Sequence, residues 1–294
     1  MKTVVITGAS GLLGRALVRA FHSASWDVRG LAHTRATGDL IAVDLTKFDE
    51  AANVILQAKP DIIIHSAAQR APDKVENEPE KSHALNVEVP KNLAHLADKE
   101  GIPFIHISTD YVFDGRNPPY RESDPTNPLN KYGETKAAAE KVVTVAKPDA
   151  IIVRIPILYG GEEYEGESAV ASLLKPIKDR TKPVKVPDYE VRYPSHVDDI
   201  ATVVVQLSER RLQDRTIRGF YHWSGSEALT KYGMVQAVGS ALNIDVNHIS
   251  GDPNPSGGAP RPHNSQLARD RLEELGIGRH TPFVEGVKSF QKFL

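Results

Sequence analysis

Apolar positions in the first half of the chain alternate between two patterns. Short continuous runs rich in β-branched residues are typical of buried strands. They lie at Thr3–Thr7, Val28–Ala32, Ile41–Val43, Ile62–His65, Phe104–Ser108 and Ile151–Arg154. Between them, apolar residues recur at helical spacing, at Leu13, Leu17, Ala20 and Phe21, at Ala51, Ile55 and Ala58, and at Leu85, Val89, Leu93, Leu96 and Ala97. Pro90 is expected to kink or end the last helix. Strands that alternate with helices predict an α/β fold with a parallel sheet covered on both faces.

The pattern of apolar positions changes after Arg154. Proline and glycine become frequent, and helical patterns return at 199–209 and 230–242. We therefore predict a first domain over residues 1–154 and a smaller C-terminal lobe over residues 155–294, interleaved with the first.

A glycine-rich turn follows the first predicted strand. Gly8, Gly11 and Gly14 have the spacing G-x-x-G-x-x-G and lead directly into an amphipathic helix. Glycine lets backbone N–H groups approach a pyrophosphate closely, and the start of a helix adds unpaired N–H groups. A strand before the glycines and a helix after them is the context that gives this motif its meaning. The sequence thus predicts a doubly wound Rossmann sheet that binds a dinucleotide, with loop contacts at Gly8, Ser10, Gly11, Leu12, Leu13 and Gly14.

The segment after the second strand indicates which dinucleotide. An NAD site usually has an acidic residue there for the ribose 2′-hydroxyl, but Leu31–Thr37 contains no carboxylate. Arg35 lies in this segment and Arg15 lies beside the loop, so either guanidinium could pair with a 2′-phosphate. We predict a preference for NADP(H), the alternative being that both arginines are solvated surface charges. Asp44 and Leu45 are expected to contact the adenine.

A second set of residues carries reactive chemistry. Tyr132 and Lys136 stand four residues apart on a predicted helix and share a face. A nearby ammonium lowers the pKa of a phenol, which lets it exchange a proton with a carbonyl or alcohol oxygen. Thr109, at a strand end, is placed to hydrogen-bond that oxygen. The alternatives are a solvated helix face and a hydroxyl that caps a turn.

Together these residues resemble the extended short-chain dehydrogenase/reductase family. The resemblance implies that Thr109, Tyr132 and Lys136 form a catalytic triad, with Tyr132 and Lys136 also binding the cofactor. It further implies that Asn86 supports the lysine through water, although a helix-surface or capping role is equally open. Further cofactor contacts are expected at Ser66, Ala67, Ala68 and Ile155.

Longer segments narrow the resemblance. Ser108–Gly115 and Arg261–Leu267 resemble dTDP-4-dehydrorhamnose reductases, which reduce the 4-keto group of a nucleotide-linked 6-deoxy sugar with NAD(P)H. Similarity over nearly the whole chain is greater to the regulatory β subunits of methionine adenosyltransferase, non-catalytic relatives that bind NADP. The segments that carry this second resemblance include Asp110–Glu122, Arg154–Gly160, Glu167–Val170 and His222–Gly225.

Two functional hypotheses follow from these resemblances. The first is an NADP(H)-binding regulatory partner of the methionine adenosyltransferase catalytic subunit, which makes S-adenosylmethionine. The second is an NADPH-dependent reductase of a nucleotide-linked sugar. Ile157 stands where the reductases typically have a tryptophan, which favours the first hypothesis. The intact triad keeps the second open.

Composition excludes several other classes. The formal net charge of −2 offers no basic field for nucleic acid. No apolar run approaches the length of a membrane span, and no secretory signal is readable, so a cytoplasmic location is expected. Cysteine is absent and the histidines show no paired ligand spacing, so no metal site is predicted.

Three local features complete the predictions. The acidic run 162–167 is expected to be a solvated loop. Tyr221 and Trp223 are expected to pack in the core. Arg192 is expected either to face a substrate phosphate or to pair with Asp198 or Asp199.

Overall fold

A computed structural model describes the whole chain, residues 1–294. The strands are β1 (Thr3–Thr7), β2 (Asp27–Ala32), β3 (Ile41–Ala42), β4 (Ile62–His65), β5 (Phe104–Thr109), β6 (Ile151–Ile155), β7 (Leu158–Tyr159), β8 (Val184–Pro187), β9 (Ser195–His196), β10 (Gly219–His222) and β11 (Ile249–Asp252). All six strands predicted in the first half are confirmed, with bounds that differ by at most one residue at an end.

Helices fill the intervals between strands. They are α1 (Leu12–Ser23), α2 (Phe48–Gln57), α3 (Pro72–Asn77), α4 (Pro79–His83), α5 (Val89–Lys99), α6 (Lys131–Ala146), α7 (Leu174–Lys178), α8 (Val197–Gln213), α9 (Lys231–Leu242), α10 (Asp270–Glu274) and α11 (Phe283–Gly286). Short 3₁₀ helices cover Asp110–Val112, Ala171–Leu173 and Val287–Phe293. A π-helical turn at Ala84–Glu88 precedes α5, and Pro90 lies in the first turn of that helix, where a missing N–H is tolerated. The helix therefore does not end at Pro90; its type changes from π to α just before the proline.

Seven strands form the central parallel sheet, in the order β10-β6-β5-β4-β1-β2-β3. The order 3-2-1-4-5-6 within it is that of a doubly wound dinucleotide-binding sheet, which confirms the predicted fold class. The strands β1, β4, β5 and β6 are buried along nearly their whole length, as expected for a sheet covered on both faces.

Elements beyond residue 154 contribute to both parts of the molecule. Strand β10 adds to the edge of the sheet beside β6, and α8 packs on α1 in the largest apolar core. Tyr221 and Trp223 are buried in this core, as predicted. A separate apolar core lies in the C-terminal part, and it includes Tyr159, Met234, Phe283 and Phe290. No helix has both the length and the apolar character that a bilayer crossing requires.

Candidate dinucleotide and reductase site

The glycine loop joins β1 to α1 with almost no room for side chains. Gly8 has a φ of +70°, and a Cβ there lies 2.8 Å from the backbone of Ala67. A Cβ on Gly14 lies 2.0 Å from the carbonyl oxygen of Gly8, which is a severe overlap. Gly11 caps α1 without a side-chain hydrogen bond, so the first N–H groups of the helix, from Leu12 onward, keep free donors. This backbone cradle fits a pyrophosphate.

The loop after β4 forms the neighbouring wall. The hydroxyl of Thr7 accepts hydrogen bonds from the backbone N–H groups of Ser66 at 3.2 Å and Ala67 at 3.4 Å. Ser66 Oγ donates to the carbonyl of Thr7 at 2.7 Å. These bonds hold Ser66 and Ala67 beside the glycines, and Ala68 continues the same half-buried stretch. The structure thus brings the predicted residues of the two loops together.

Charged residues lie at the outer end of this cradle. Arg15 forms a bidentate ion pair with Glu167, at 2.8 and 2.7 Å, and Arg35 Nη1 lies 3.7 Å from the same carboxylate. Glu167 is 2 % exposed and Glu162 is 1 % exposed, so the predicted solvated acidic loop is wrong for these two carboxylates. For Glu167 the partner is distant in the chain, since Arg15 lies 152 positions away. Glu162 is held by local contacts instead, because its carboxylate accepts from the Gly160 N–H and the Ser168 hydroxyl.

The predicted adenine contacts lie beyond β3. The Asp44 carboxylate accepts hydrogen bonds from the N–H and the hydroxyl of Thr46, which lower the pKa of Asp44. Leu45 is half-buried against the apolar cluster around α2 and α5. Both residues follow strands at the carboxyl edge of the sheet, where ligands of this fold bind.

Thr109, Tyr132 and Lys136, here called the reactive cluster, meet at the carboxyl end of β5. Thr109 is the last residue of that strand and pairs in register with Ile155 of β6. Asn130 caps α6 by accepting from the N–H of Gly133 at 2.9 Å, which fixes the start of the helix that carries the other two side chains.

The electrostatics of the cluster differ from the expectation. Lys136 is buried, and its ammonium donates to the carbonyl oxygen of Ile107 at 2.7 Å and to Nε2 of His106 at 3.1 Å. Burial lowers the pKa of Lys136 to about 8, against a smaller opposing effect of Glu140. Burial also raises the pKa of Tyr132 to about 12, and a hydrogen bond with Thr109 offsets this only in part. The predicted lowering of the tyrosine pKa is therefore wrong, because the ammonium is directed at strand β5.

Comparisons with known proteins agree with this geometry. The family model described as RmlD substrate binding domain matches residues 1–294. The chain belongs to the RmlD substrate binding domain family. It is 44 % identical to methionine adenosyltransferase 2 subunit beta of Bos taurus over 288 residues, which covers 98 % of this chain and 86 % of that protein. It is 32 % identical to dTDP-4-dehydrorhamnose reductase of Aggregatibacter actinomycetemcomitans over 81 % of this chain and 78 % of the relative.

Solved structures give the same fold. The dTDP-4-dehydrorhamnose reductase of Bacillus anthracis, in complex with NADP, superposes with a TM-score of 0.86 and 26 % identity, and the match covers 100 % of both chains. The resemblance of this family member to both groups, inferred from its sequence, is confirmed.

A buried carboxylate beside the cluster was not predicted. Asp110 accepts hydrogen bonds from the hydroxyl of Thr109 at 3.1 Å and from that of Ser265 at 2.5 Å. Burial raises the pKa of Asp110, although Arg192 and both hydroxyls act in the opposite direction. Ser265 belongs to the C-terminal segment that carries the reductase resemblance, but its contact spans 155 positions and leaves no local signal.

Arg192 lies on the same side of the site. It is buried and donates to the carbonyl oxygens of Val191 and Pro262, so the predicted ion pair with Asp198 or Asp199 is wrong. Those aspartates pair with other arginines: Asp198 with Arg19 and Asp199 with Arg279.

Asn86 connects the cofactor loop to the reactive helix. It lies in the π-helical turn and is 1 % exposed, so the helix-surface alternative is wrong. Its amide oxygen accepts from the N–H of Gln69, and its nitrogen donates to the carbonyl of Gln69 and to the hydroxyl of Thr135. Because Thr135 precedes Lys136, Asn86 holds the loop after β4 and helix α6 in fixed relation.

Two histidines lie under the cluster. His65 and His106 occupy paired positions on β4 and β5, with their rings stacked at 5.3 Å. Since an ammonium can only donate, His106 accepts from Lys136 at Nε2 and is neutral. Burial lowers the pKa of both imidazoles, that of His65 to about 3.

Proposed function

We propose that this chain binds NADP(H) and acts as a regulatory partner of a methionine adenosyltransferase catalytic subunit. The observation that carries the proposal is its 44 % identity to the bovine beta subunit over 98 % of the chain. The backbone cradle around Gly8 and Gly14 is evidence for cofactor binding. A Cβ at either position overlaps main-chain atoms, so the glycines keep the backbone open to a pyrophosphate. Residues 1–154 are proposed to form the cofactor domain and residues 155–294 the substrate lobe.

The proposed cofactor is NADP(H) because two guanidinium groups at the outer end of the cradle could bind its 2′-phosphate. Arg15 and Arg35 approach the same anion within 3.7 Å, and no carboxylate follows β2 in the position that favours NAD. Titration calorimetry with NADPH and with NADH tests this choice. We expect tighter binding of NADPH, and equal or tighter binding of NADH contradicts the assignment.

The proposed partner is tested by co-elution. The chain and the host's methionine adenosyltransferase are mixed at micromolar concentration, with and without NADP, and separated on a sizing column. A shared peak that depends on both proteins is the expected result. Separate elution in the presence of NADP counts against the regulatory role. A Tyr132→Phe variant is the matched control, since complex formation does not need the reactive hydroxyl.

The second candidate function is reduction of a nucleotide-linked 4-keto-6-deoxy sugar. The observation that favours it is the assembled reactive cluster, together with 32 % identity to a dTDP-4-dehydrorhamnose reductase. Bound NADPH supplies a hydride in such chemistry. In this proposal the Thr109 hydroxyl turns its hydrogen from Asp110 to the carbonyl oxygen, and Tyr132, protonated at neutral pH, gives that oxygen its proton.

One residue argues against this second candidate. Ile157 replaces the tryptophan that reductases typically have, and it packs against the apolar core of the C-terminal part.

An NADPH-consumption assay separates the two functions. It uses dTDP- and UDP-linked 4-keto-6-deoxy sugars with the wild type and with Tyr132→Phe. Turnover that the substitution abolishes establishes a reductase. No turnover by a protein that still binds NADPH leaves the regulatory proposal standing.

A further inference from the structure

Arg15, beside the glycine loop, is ion-paired with Glu167, a carboxylate from the C-terminal half of the chain. Nη1 of Arg15 donates to Glu167 Oε1 at 2.8 Å and to the carbonyl of Ser10 at 3.0 Å. Nη2 donates to Glu167 Oε2 at 2.7 Å and to the carbonyl of Gly161 at 3.1 Å. All four terminal N–H groups of the guanidinium are therefore used. Only the Nε–H of Arg15 stays available to another anion.

The carboxylate is held as an anion in a cationic surrounding. Burial by itself raises the pKa of Glu167, but the hydrogen bond and the charge of Arg15, with Arg35 beyond it, leave that pKa lowered. Arg70 adds a third guanidinium, which donates to the backbone carbonyl of Glu167. Guanidinium groups bind carboxylates and phosphates through the same two parallel N–H donors. The Glu167 carboxylate thus uses the same guanidinium donors that a 2′-phosphate needs.

We propose that Glu167 is an internal competitor for the 2′-phosphate of NADPH, and that binding of this cofactor releases residues 160–168 from the glycine loop. The inference rests on the proposed NADP(H) binding and adds its regulation. The fork of Arg15 cannot hold two anions at once, so the phosphate enters as Glu167 leaves. NADH has no 2′-phosphate and leaves the ion pair intact.

Release of Glu167 extends beyond its own side chain. Its Oε2 also accepts from the N–H of Glu163 at 2.8 Å, which fixes the turn between them. The neighbouring Glu162 is held by the Ser168 hydroxyl, and its backbone carbonyl accepts from Lys292 in the last 3₁₀ helix. Residues 160–168 therefore connect the cofactor loop to the C-terminal end of the chain. Release of residues 160–168 is therefore expected to loosen the C-terminal 3₁₀ helix through Lys292.

The affinity test uses Glu167→Gln, which keeps the shape and removes the charge. Calorimetry is expected to show NADPH binding about tenfold tighter than in the wild type, since a charge-assisted pair is replaced by a neutral one. Binding of NADH stays within about twofold. Glu165→Gln is the matched control, because it lies in the same segment and its carboxylate pairs with Lys178 and not with Arg15. This control leaves both affinities nearly unchanged.

Three other outcomes are informative. Weaker NADPH binding by Glu167→Gln overturns the proposal and makes Glu167 an organiser of Arg15. An unchanged ratio of NADPH to NADH affinity overturns it as well. If neither protein binds either dinucleotide, the proposed function itself fails, and the inference fails with it.

A second measurement needs no variant. Hydrogen–deuterium exchange of the wild type is followed at residues 160–168 and 287–293, with NADPH or NADH present. Faster exchange with NADPH alone is expected in the first segment and, to a smaller extent, in the second. Exchange that NADPH slows or leaves unchanged overturns the release of the segment.

Discussion

The glycine loop and the reactive cluster lie at the same edge of the central sheet but are built in different ways. The loop is shaped by backbone sterics, since a Cβ at Gly8 or Gly14 overlaps main-chain atoms of neighbouring residues. The cluster is shaped by side-chain hydrogen bonds that reach other strands, such as that from Lys136 to His106. The shape of a site built from backbone is set largely by the few consecutive residues that form it. A side-chain site depends on what the rest of the fold places around it.

Breaking the anchor of the reactive helix is expected to have the largest effect. Glu140 on α6 forms a bidentate pair with buried Arg154, at 2.9 Å for both bonds, and accepts from the Ser108 hydroxyl. Glu140→Ala leaves the guanidinium buried without its partner, which costs about 3–5 kcal/mol of unfolding free energy. Urea denaturation measures the change. Glu134→Ala, on the exposed face of the same helix, is the control and should change stability little; equal effects contradict this account.

A substitution in the glycine loop tests whether backbone sterics control cofactor binding. Gly14→Ala places a methyl group 2.0 Å from the carbonyl oxygen of Gly8, so the cradle must open. Overpacking of this kind costs about 1–3 kcal/mol, and we expect NADPH binding to weaken about 100-fold. Calorimetry measures the affinity and circular dichroism confirms the fold. Gly257→Ala, where an added Cβ meets nothing within 4 Å, should bind normally.

The buried lysine gives a pH-dependent prediction. Unfolded Lys136 keeps its proton up to about pH 10.5, while the folded form loses it near a pKa of about 8. Between these values the unfolded chain binds more protons, so the contribution of Lys136 to stability rises with pH. From pH 7.5 to 9.5 we expect the wild type to gain about 2 kcal/mol relative to Lys136→Met. Paired urea titrations measure it, and parallel curves show that the lysine titrates normally.

The exposed arginine of the cofactor edge should have the smallest effect. Arg35 is 51 % exposed, and pairs with such exposure contribute about 0.2–1 kcal/mol. Arg35→Ala is therefore expected to weaken NADPH binding about threefold and to leave NADH binding unchanged. Arg29→Ala, with 49 % exposure and a local partner in Asp27, is the matched control. A similar loss for both cofactors removes Arg35 from 2′-phosphate recognition.

The sequence predictions that proved wrong concern side chains outside the glycine loop. The glycine loop, the strand that precedes it and the helix that follows were predicted correctly, because all three are encoded within a few consecutive residues. The predicted pKa of Tyr132, the solvation of Glu167 and the ion pair of Arg192 were wrong. The pKa of Tyr132 follows from burial, and Glu167 and Arg192 have partners 152 and 70 positions away in the chain.

The sequence by itself determined the first six strands, the backbone cradle, the strand end that carries Thr109 and the helix that carries Tyr132 and Lys136. Periodicity and glycine sterics act over short distances, so they can be read from neighbouring residues. Tertiary structure alone decided that Lys136 turns toward His106, that Asp110 receives the Ser265 hydroxyl, and that Glu167 closes on Arg15. These contacts join residues 30, 155 and 152 positions apart. Burial then sets the charge of each group, and burial exists only once the sheet and the C-terminal part have packed together.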